Sequence, residues 1–328
     1  MIEIREDFKN IQKHPMWDNS YFYEGDLCID DDVICYLNIV IDGNVTISGN
    51  LQVFGNYIVT GNDVINGNQN ISGLQSINGN QIINGNQNIT KEQEIGGNQY
   101  IGGNQELESE QNISGNQKIK GKQIIKNHQN IGGSQKIYEN QYIFGNQKIE
   151  HNQIIKNSQS IEGNQTINGN QKIYENQYIL LSQTVEGNQY IKGNQKIDKS
   201  QTIKKNQKIL DFQEIGWDQT VNGNQYIGKY QYVLKHRNVS GEQIIFNRKT
   251  KYSYTMVVDN KRIYFYSNFI KVDCRAHSPK LFAKAHQTTV DSVGDGSTEW
   301  WAKWKNLVLN THEELEKIYG KIELHSKN

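Results

Sequence analysis

From Tyr23 to Thr250 the chain repeats every six residues in a single frame, through thirty-eight consecutive hexads with no insertion or deletion. The commonest unit is an aliphatic residue followed by x-Gly-Asn-Gln-x, as in Ile77-Asn-Gly-Asn-Gln-Ile82 and Val185-Glu-Gly-Asn-Gln-Tyr190. So short and unbroken a period leaves no room for the mixed elements of a globular core. It demands a stack of small units, each buried against its neighbours.

Side chains two residues apart share a face of an extended strand. Each Gln stands two residues before an aliphatic residue, so if the aliphatic faces inward the Gln does too. The spacing therefore predicts a short strand, Gln-x-aliphatic, with x-Gly-Asn as the corner between strands. Gly and Asn tolerate left-handed backbone angles, and a sharp corner is expected to use them.

A period of 18 aligns the outward residues. Thr166, Thr184, Thr202 and Thr220 stand 18 apart, and a second column reads Tyr100, Lys118, Lys136, Ile154, Lys172, Tyr190, Lys208 and Tyr226. The segment 136–144 nearly recurs at 172–180. The expected fold class is thus all-β: a triangular, single-stranded β-solenoid of three sides and 18 residues per coil. Twelve to thirteen coils at roughly 4.8 Å each make a rod on the order of 60 Å long.

The interior is not uniform along that rod. The fifth position of the hexad runs Leu27, Val33, Ile39, Val45, Leu51, Tyr57 and Asp63, then is Gln in 29 of 30 hexads from Gln69 to Gln243, Arg237 being the exception. Burying an unpaired amide costs about 2 kcal/mol or more. Stacked amides can instead form ladders along the axis, donor to acceptor, and that is the expectation here. The competing possibility is a loosened corner from which Gln reaches water.

Charge and composition narrow the function. The 35 basic and 35 acidic residues cancel, which argues against a strongly basic nucleic-acid binder and against an acidic DNA mimic. Hydrophobic residues make up only 35%, a level that suggests disorder unless they are strictly placed, as they are in this repeat. Cys28, Cys35 and Cys274 have neither zinc-ligand spacing nor a disulfide pattern. An acidic N-terminus without an apolar stretch, and no run near the ~18 apolar residues of a membrane span, lead us to expect a cytoplasmic protein with no membrane partner.

Two segments flank the repeat. Residues 1–22, with Phe8, Ile11, Pro15, Trp17, Tyr21 and Phe22, are expected to cap the first coil. Residues 251–328 are expected to form a small α+β domain. Strands are predicted at 252–258, 262–266 and 269–272, with a turn at Asp259-Asn260, a short helix near 281–286 and a long helix over 297–319. The apolar face of the long helix is Trp301, Trp304, Val308, Leu315 and Ile318 or Tyr319.

The early hexads Ile41–Asn44, Ile47–Asn50 and Val53–Asn56, with aliphatic Val45 and Leu51 at the fifth position, resemble the bactofilin-type, polymer-forming β-solenoids. Similar solenoids occur among phage and prophage proteins, some with a Trp-rich C-terminal unit like Glu299–Trp304. The resemblance implies the triangular coil. The Gln-lined interior and the added terminal segments depart from that family, whose members polymerise through exposed ends.

No phosphate loop, nucleophile elbow or cofactor motif occurs, so neither cofactor nor metal is expected. A hexapeptide-repeat acyltransferase is the enzymatic alternative. It needs an extruded loop and a His base, whereas His128, His151 and His236 lie at separate corners. Cys274 and His277 form at most half of a metal site. The Thr column suggests ice binding, which requires a wider regular array. A better candidate is one side carrying Lys118, Lys120, Lys136, Tyr138, Lys156, Lys172, Tyr174, Tyr190, Lys192, Lys208 and Tyr226, suited to a polyanion or glycan. The expected function is a non-enzymatic structural or scaffolding rod, self-associating or binding a protein partner through its ends and C-terminal domain. Polyanion or glycan binding on the Lys/Tyr side is the alternative.

Overall fold

The computed structural model describes residues 1–6, 8–13, 19–229, 231–234, 236–245, 253–258, 261–266, 270–272, 275–277 and 297–319. Through the repeat the chain forms three-residue strands whose first and third residues are buried while the central one faces out. Successive strands fall on three sides in rotation, and each pairs in parallel with the strand 18 residues away. Gln69 lies over Leu51 and Gln87 over Gln69 on side 1. Gln75 lies over Tyr57 on side 2, and Gln81 over Asp63 on side 3. Sides 1 and 2 are sheets of 13 and 14 strands; side 3 runs in parallel from Leu27–Ile29 to Gln243–Ile245. The triangular 18-residue coil is the observed fold.

The axis is packed solid. From Ile65 to Ile227 the aliphatic residue of every hexad is at most 2% exposed, as is every fifth-position Gln from Gln69 to Gln225. Each such Ile contributes on the order of 2–3 kcal/mol of burial. Stability is thus spread along the rod, coil by coil.

The corners work differently from the sequence-based expectation. Among the described residues only Asn10, Asn19 and Gly25 have positive φ, so the repeated Gly-Asn corners need no left-handed backbone. What selects Gly is close approach. The Gly79 N–H donates to the Gly61 carbonyl of the preceding coil at 3.0 Å, and a Cβ on Gly79 would lie 2.6 Å from that oxygen. Where both corner residues are larger the bond stretches, to 3.4 Å from Lys199 to Leu181 and 3.3 Å from Trp217 to Lys199. The corner Asn serves as a rung: the Asn62 Oδ1 accepts from the Asn80 backbone N–H at 2.8 Å and from its Nδ2 at 3.2 Å.

The N-terminal residues add to two of the three sheet edges. Ile2–Ile4 extends side 1 in parallel, and Ile11–Lys13 pairs antiparallel with Ser20–Glu24 on side 2. Ile4 is buried, and Phe8 and Ile11 pack on the core. At the other end, side 3 continues as an antiparallel meander of Ser253–Val258, Lys261–Tyr266, Ile270–Val272 and Arg275–His277. The last of these strands was not anticipated. The C-terminal helix spans Ser297–Tyr319, with Val308, His312 and Leu315 buried. Pro15, Trp17, the turn at Asp259-Asn260, Cys274 and the helix expected near 281–286 lie outside the described residues, as do the side chains of Trp301, Ile318 and Tyr319. Among the described residues no helix is long and apolar enough to cross a membrane.

Candidate functional site

The Lys and Tyr residues singled out in the sequence occupy two adjoining files on one side. Lys118, Lys136, Lys172, Tyr190, Lys208 and Tyr226 are the central residues of side-3 strands. Tyr138, Lys156, Tyr174 and Lys192 come next in the chain after such strands, at the start of the corner, as does Lys120. Along the axis the lysines change file from coil to coil: Lys118 with Lys120, then Lys136, Lys156, Lys172, Lys192 and Lys208. Six successive coils therefore each present an ammonium group on the same side.

Six of those seven ammonium groups rest on tyrosine rings. Lys156 lies 4.2 Å from the centroid of the Tyr174 ring, Lys136 4.9 Å from Tyr138, Lys118 5.3 Å from Tyr100, Lys172 5.5 Å from Tyr190 and Lys208 5.2 Å from Tyr226. Interaction between lysine and phenol shifts some of these groups. The Lys136 side chain holds the Tyr138 phenol below its ordinary range, and Lys172 does the same to Tyr174. Tyr100 in turn raises Lys120.

The other two sides treat lysine differently. In the same stretch the equivalent positions of sides 1 and 2 carry Lys126, Lys196, Lys148 and Lys204, and each is ion-paired. Their partners are Glu108, Glu214, Glu150 and Glu186, at 2.5, 3.3, 2.5 and 2.6 Å. None of the seven side-3 lysines is ion-paired with a carboxylate. The nearest carboxylates in the register, Glu139, Glu175 and Asp211, stand one residue further round the corner, and Asp211 pairs with Lys229 at 2.8 Å.

A second feature lies inside. Each ladder bond runs one way, from the Nε2 of a Gln to the Oε1 of a Gln earlier in the chain, as in Gln105 to Gln87 at 2.7 Å and Gln123 to Gln105 at 2.8 Å. Cross-bonds between files run the same way. The first rungs thus need an acceptor and the last need a donor, and the two residues that break the Gln pattern supply them. Asp63, fully buried, accepts from Gln69 and Gln81 at 3.1 Å each and from the Tyr57 hydroxyl at 2.8 Å. Burial pushes its carboxyl up to about 6 against these three donors. At the far end the Arg237 Nη1 donates to the Gln231 Oε1 at 2.8 Å. Anion at the donor end and cation at the acceptor end complement the aligned amide dipoles, as charges do at helix termini. These roles went unread in the sequence, although carboxylate accepts only and guanidinium donates only.

The isolated histidines also have structural partners. The His128 Nδ1 accepts from the Asn146 backbone N–H at 2.8 Å, standing in for a corner Asn, and the His236 Nδ1 lies 3.0 Å from the Asp218 carboxylate. Thr166, Thr184, Thr202 and Thr220 form a single file on side 2. Among the described residues no group of three His, Cys, Asp or Glu side chains is placed to hold a metal. Open grooves of 280 and 420 Å³ lie on side 2, beside Val40 and Ile58 and beside Asn112 and Asn130. No family model matches the chain, and no curated protein or solved structure is significantly similar to it.

Proposed function

We propose that this chain is a non-catalytic structural rod: a β-solenoid of fixed length that acts as a spacer or scaffold and engages a partner through its side and its C-terminal unit. The observation that carries this reading is the filled axis. Among the described residues from Ile65 to Ile227, amides and aliphatic side chains fill the axis from coil to coil, so the repeat supplies length and surface, and its open grooves lie on the outside. Function on such a scaffold lies in what is displayed on it.

The ends favour a discrete rod over a polymer. An antiparallel strand, Ile11–Lys13, lies on side 2 at one end, and an antiparallel meander continues side 3 at the other. Neither continues the parallel stacking that end-to-end growth requires. On this reading the chain is bactofilin-like in its coil and differs from the polymer-forming members in its ends. Kinship with phage solenoids or hexapeptide-repeat proteins would be of the same kind, through coil geometry and not through acyl transfer. Negative-stain microscopy with light scattering tests the proposal. Monodisperse rods about 60 Å long are expected; filaments that lengthen with concentration would overturn the capped-end reading.

A further inference from the structure

We infer that side 3 is a docking row for an anionic polysaccharide, held along the rod axis by the lysines of six successive coils. This rests on the rod reading and names a ligand for the rod's side; its test addresses the side surface, whereas the microscopy of rod length addresses the ends.

Three observations carry it. The first is segregation of charge. The chain as a whole is neutral, and the four lysines at the equivalent positions of sides 1 and 2 are matched by carboxylates, whereas six of the seven on side 3 lie over tyrosine rings instead. A solubilising surface has no reason to leave the lysines of one side alone without carboxylate partners; a surface that meets an anion does.

The second is spacing. One lysine per coil recurs over six coils at a rise of about 4.8 Å along the axis, alternating between two adjoining files. That suits an extended chain with one anionic group per sugar residue. Stacked nucleic acid, with a phosphate about every 3.4 Å per strand, matches it less well.

The third is the state of the rings. Binders of single-stranded nucleic acid offer free aromatic faces on which bases stack. Here ammonium groups cover faces of Tyr138, Tyr174 and Tyr190. The rings hold six of the seven lysines on this side by cation–π contact, which leaves the ammonium groups to the ligand. Lys118, Lys172, Lys192 and Lys208 are exposed enough to meet it.

The test uses the full chain with three fluorescent probes, dextran sulfate, neutral dextran and an oligo(dT) strand, over a range of salt. Dextran sulfate should bind at low salt and weaken steeply as salt rises, and neutral dextran should not bind. The variant K136Q/K172Q/K208Q should lose about tenfold or more in affinity, and its slope of log affinity on log salt should fall by up to about one per lysine. The matched variant K126Q/K148Q/K204Q, which removes ion-paired lysines from the other sides, should change affinity less than about threefold. Circular dichroism establishes that both variants are folded. Equal losses in the two variants, or no binding of dextran sulfate at low salt, would overturn the proposal. So would tighter binding of oligo(dT), which would assign the row to nucleic acid.

Discussion

The interior of the rod and its third side handle polar groups in opposite ways. Inside, amides are handed from coil to coil, and the two ends of the ladders are closed by Asp63 and Arg237. On side 3, seven lysines stand without carboxylate partners, while the four at the equivalent positions of sides 1 and 2 have them. The difference separates what holds the fold from what the fold displays. An unsatisfied polar group is costly where water is excluded and cheap where water is at hand. The interior therefore tolerates no loose ends, and side 3 can keep its charges free for a partner.

Breaking the interior should have the largest effect. Gln147 donates to Gln129 at 2.8 Å and accepts from Gln165 at 2.7 Å and Gln153 at 2.9 Å. Gln147→Ala leaves those amides short of partners and opens a cavity, and should cost about 3–4 kcal/mol in denaturant unfolding. A loss below 1 kcal/mol would mean that water replaces the ladder.

Asp63 should give an effect of similar size and opposite sign. Its carboxyl titrates near 6 when folded, against an ordinary 3.8. Between those values the folded chain holds a proton that the unfolded chain has released. Its contribution to stability is therefore fullest below about pH 4, declines as pH rises through 6 and is level above that, a span of roughly 3 kcal/mol. Asp63→Asn keeps an acceptor for Gln69 and Gln81 without the buried charge. It should be more stable than the parent at pH 7 and no longer show that decline; an unchanged pH profile would place the titration elsewhere.

At the other end the effect should shrink. Arg237→Ala removes one donor from a half-exposed rung and should cost about 1–2 kcal/mol. Hydrogen exchange should locate the loosening in the last coils, because stability in a solenoid is mainly nearest-neighbour. The smallest change belongs to side 3. K136Q/K172Q/K208Q should shift stability by less than about 1 kcal/mol, since lost cation–π contacts are offset by relief of repulsion along the row.

Much of the fold was legible in the repeat, for a definite reason. The Gln and the aliphatic residue stand two apart and so share a face, and the Thr and Lys/Tyr files recur at 18, so phase alone assigns strands, sides and the inward amides. Phase says nothing about how closely coils approach at a corner. The Gly was therefore ascribed to backbone angle, when the carbonyl of the preceding coil is what excludes a side chain. Arg275–His277 was missed because three residues carry no periodicity. The lysine row was visible as a column, but its lack of carboxylate partners depends on which neighbours each side receives, and that takes coordinates to see. Asp63 and Arg237 were visible as exceptions; only the direction of the ladders gives them a role.

One measurement sets interior and side against each other. Deleting residues 147–152 removes one hexad. The interior pattern stays intact, but everything beyond the cut turns by one side, so Lys118, Lys120 and Lys136 part from Lys156, Lys172, Lys192 and Lys208. Deleting residues 147–164 removes a whole coil, Lys156 with it, and keeps the remaining lysines on one side. Both chains are expected to fold, and dextran sulfate should bind the six-residue deletion about tenfold or more weakly than the eighteen-residue deletion. Equal affinities would contradict a single row along side 3, and an unfolded six-residue deletion would contradict an interior indifferent to which side its amides come from.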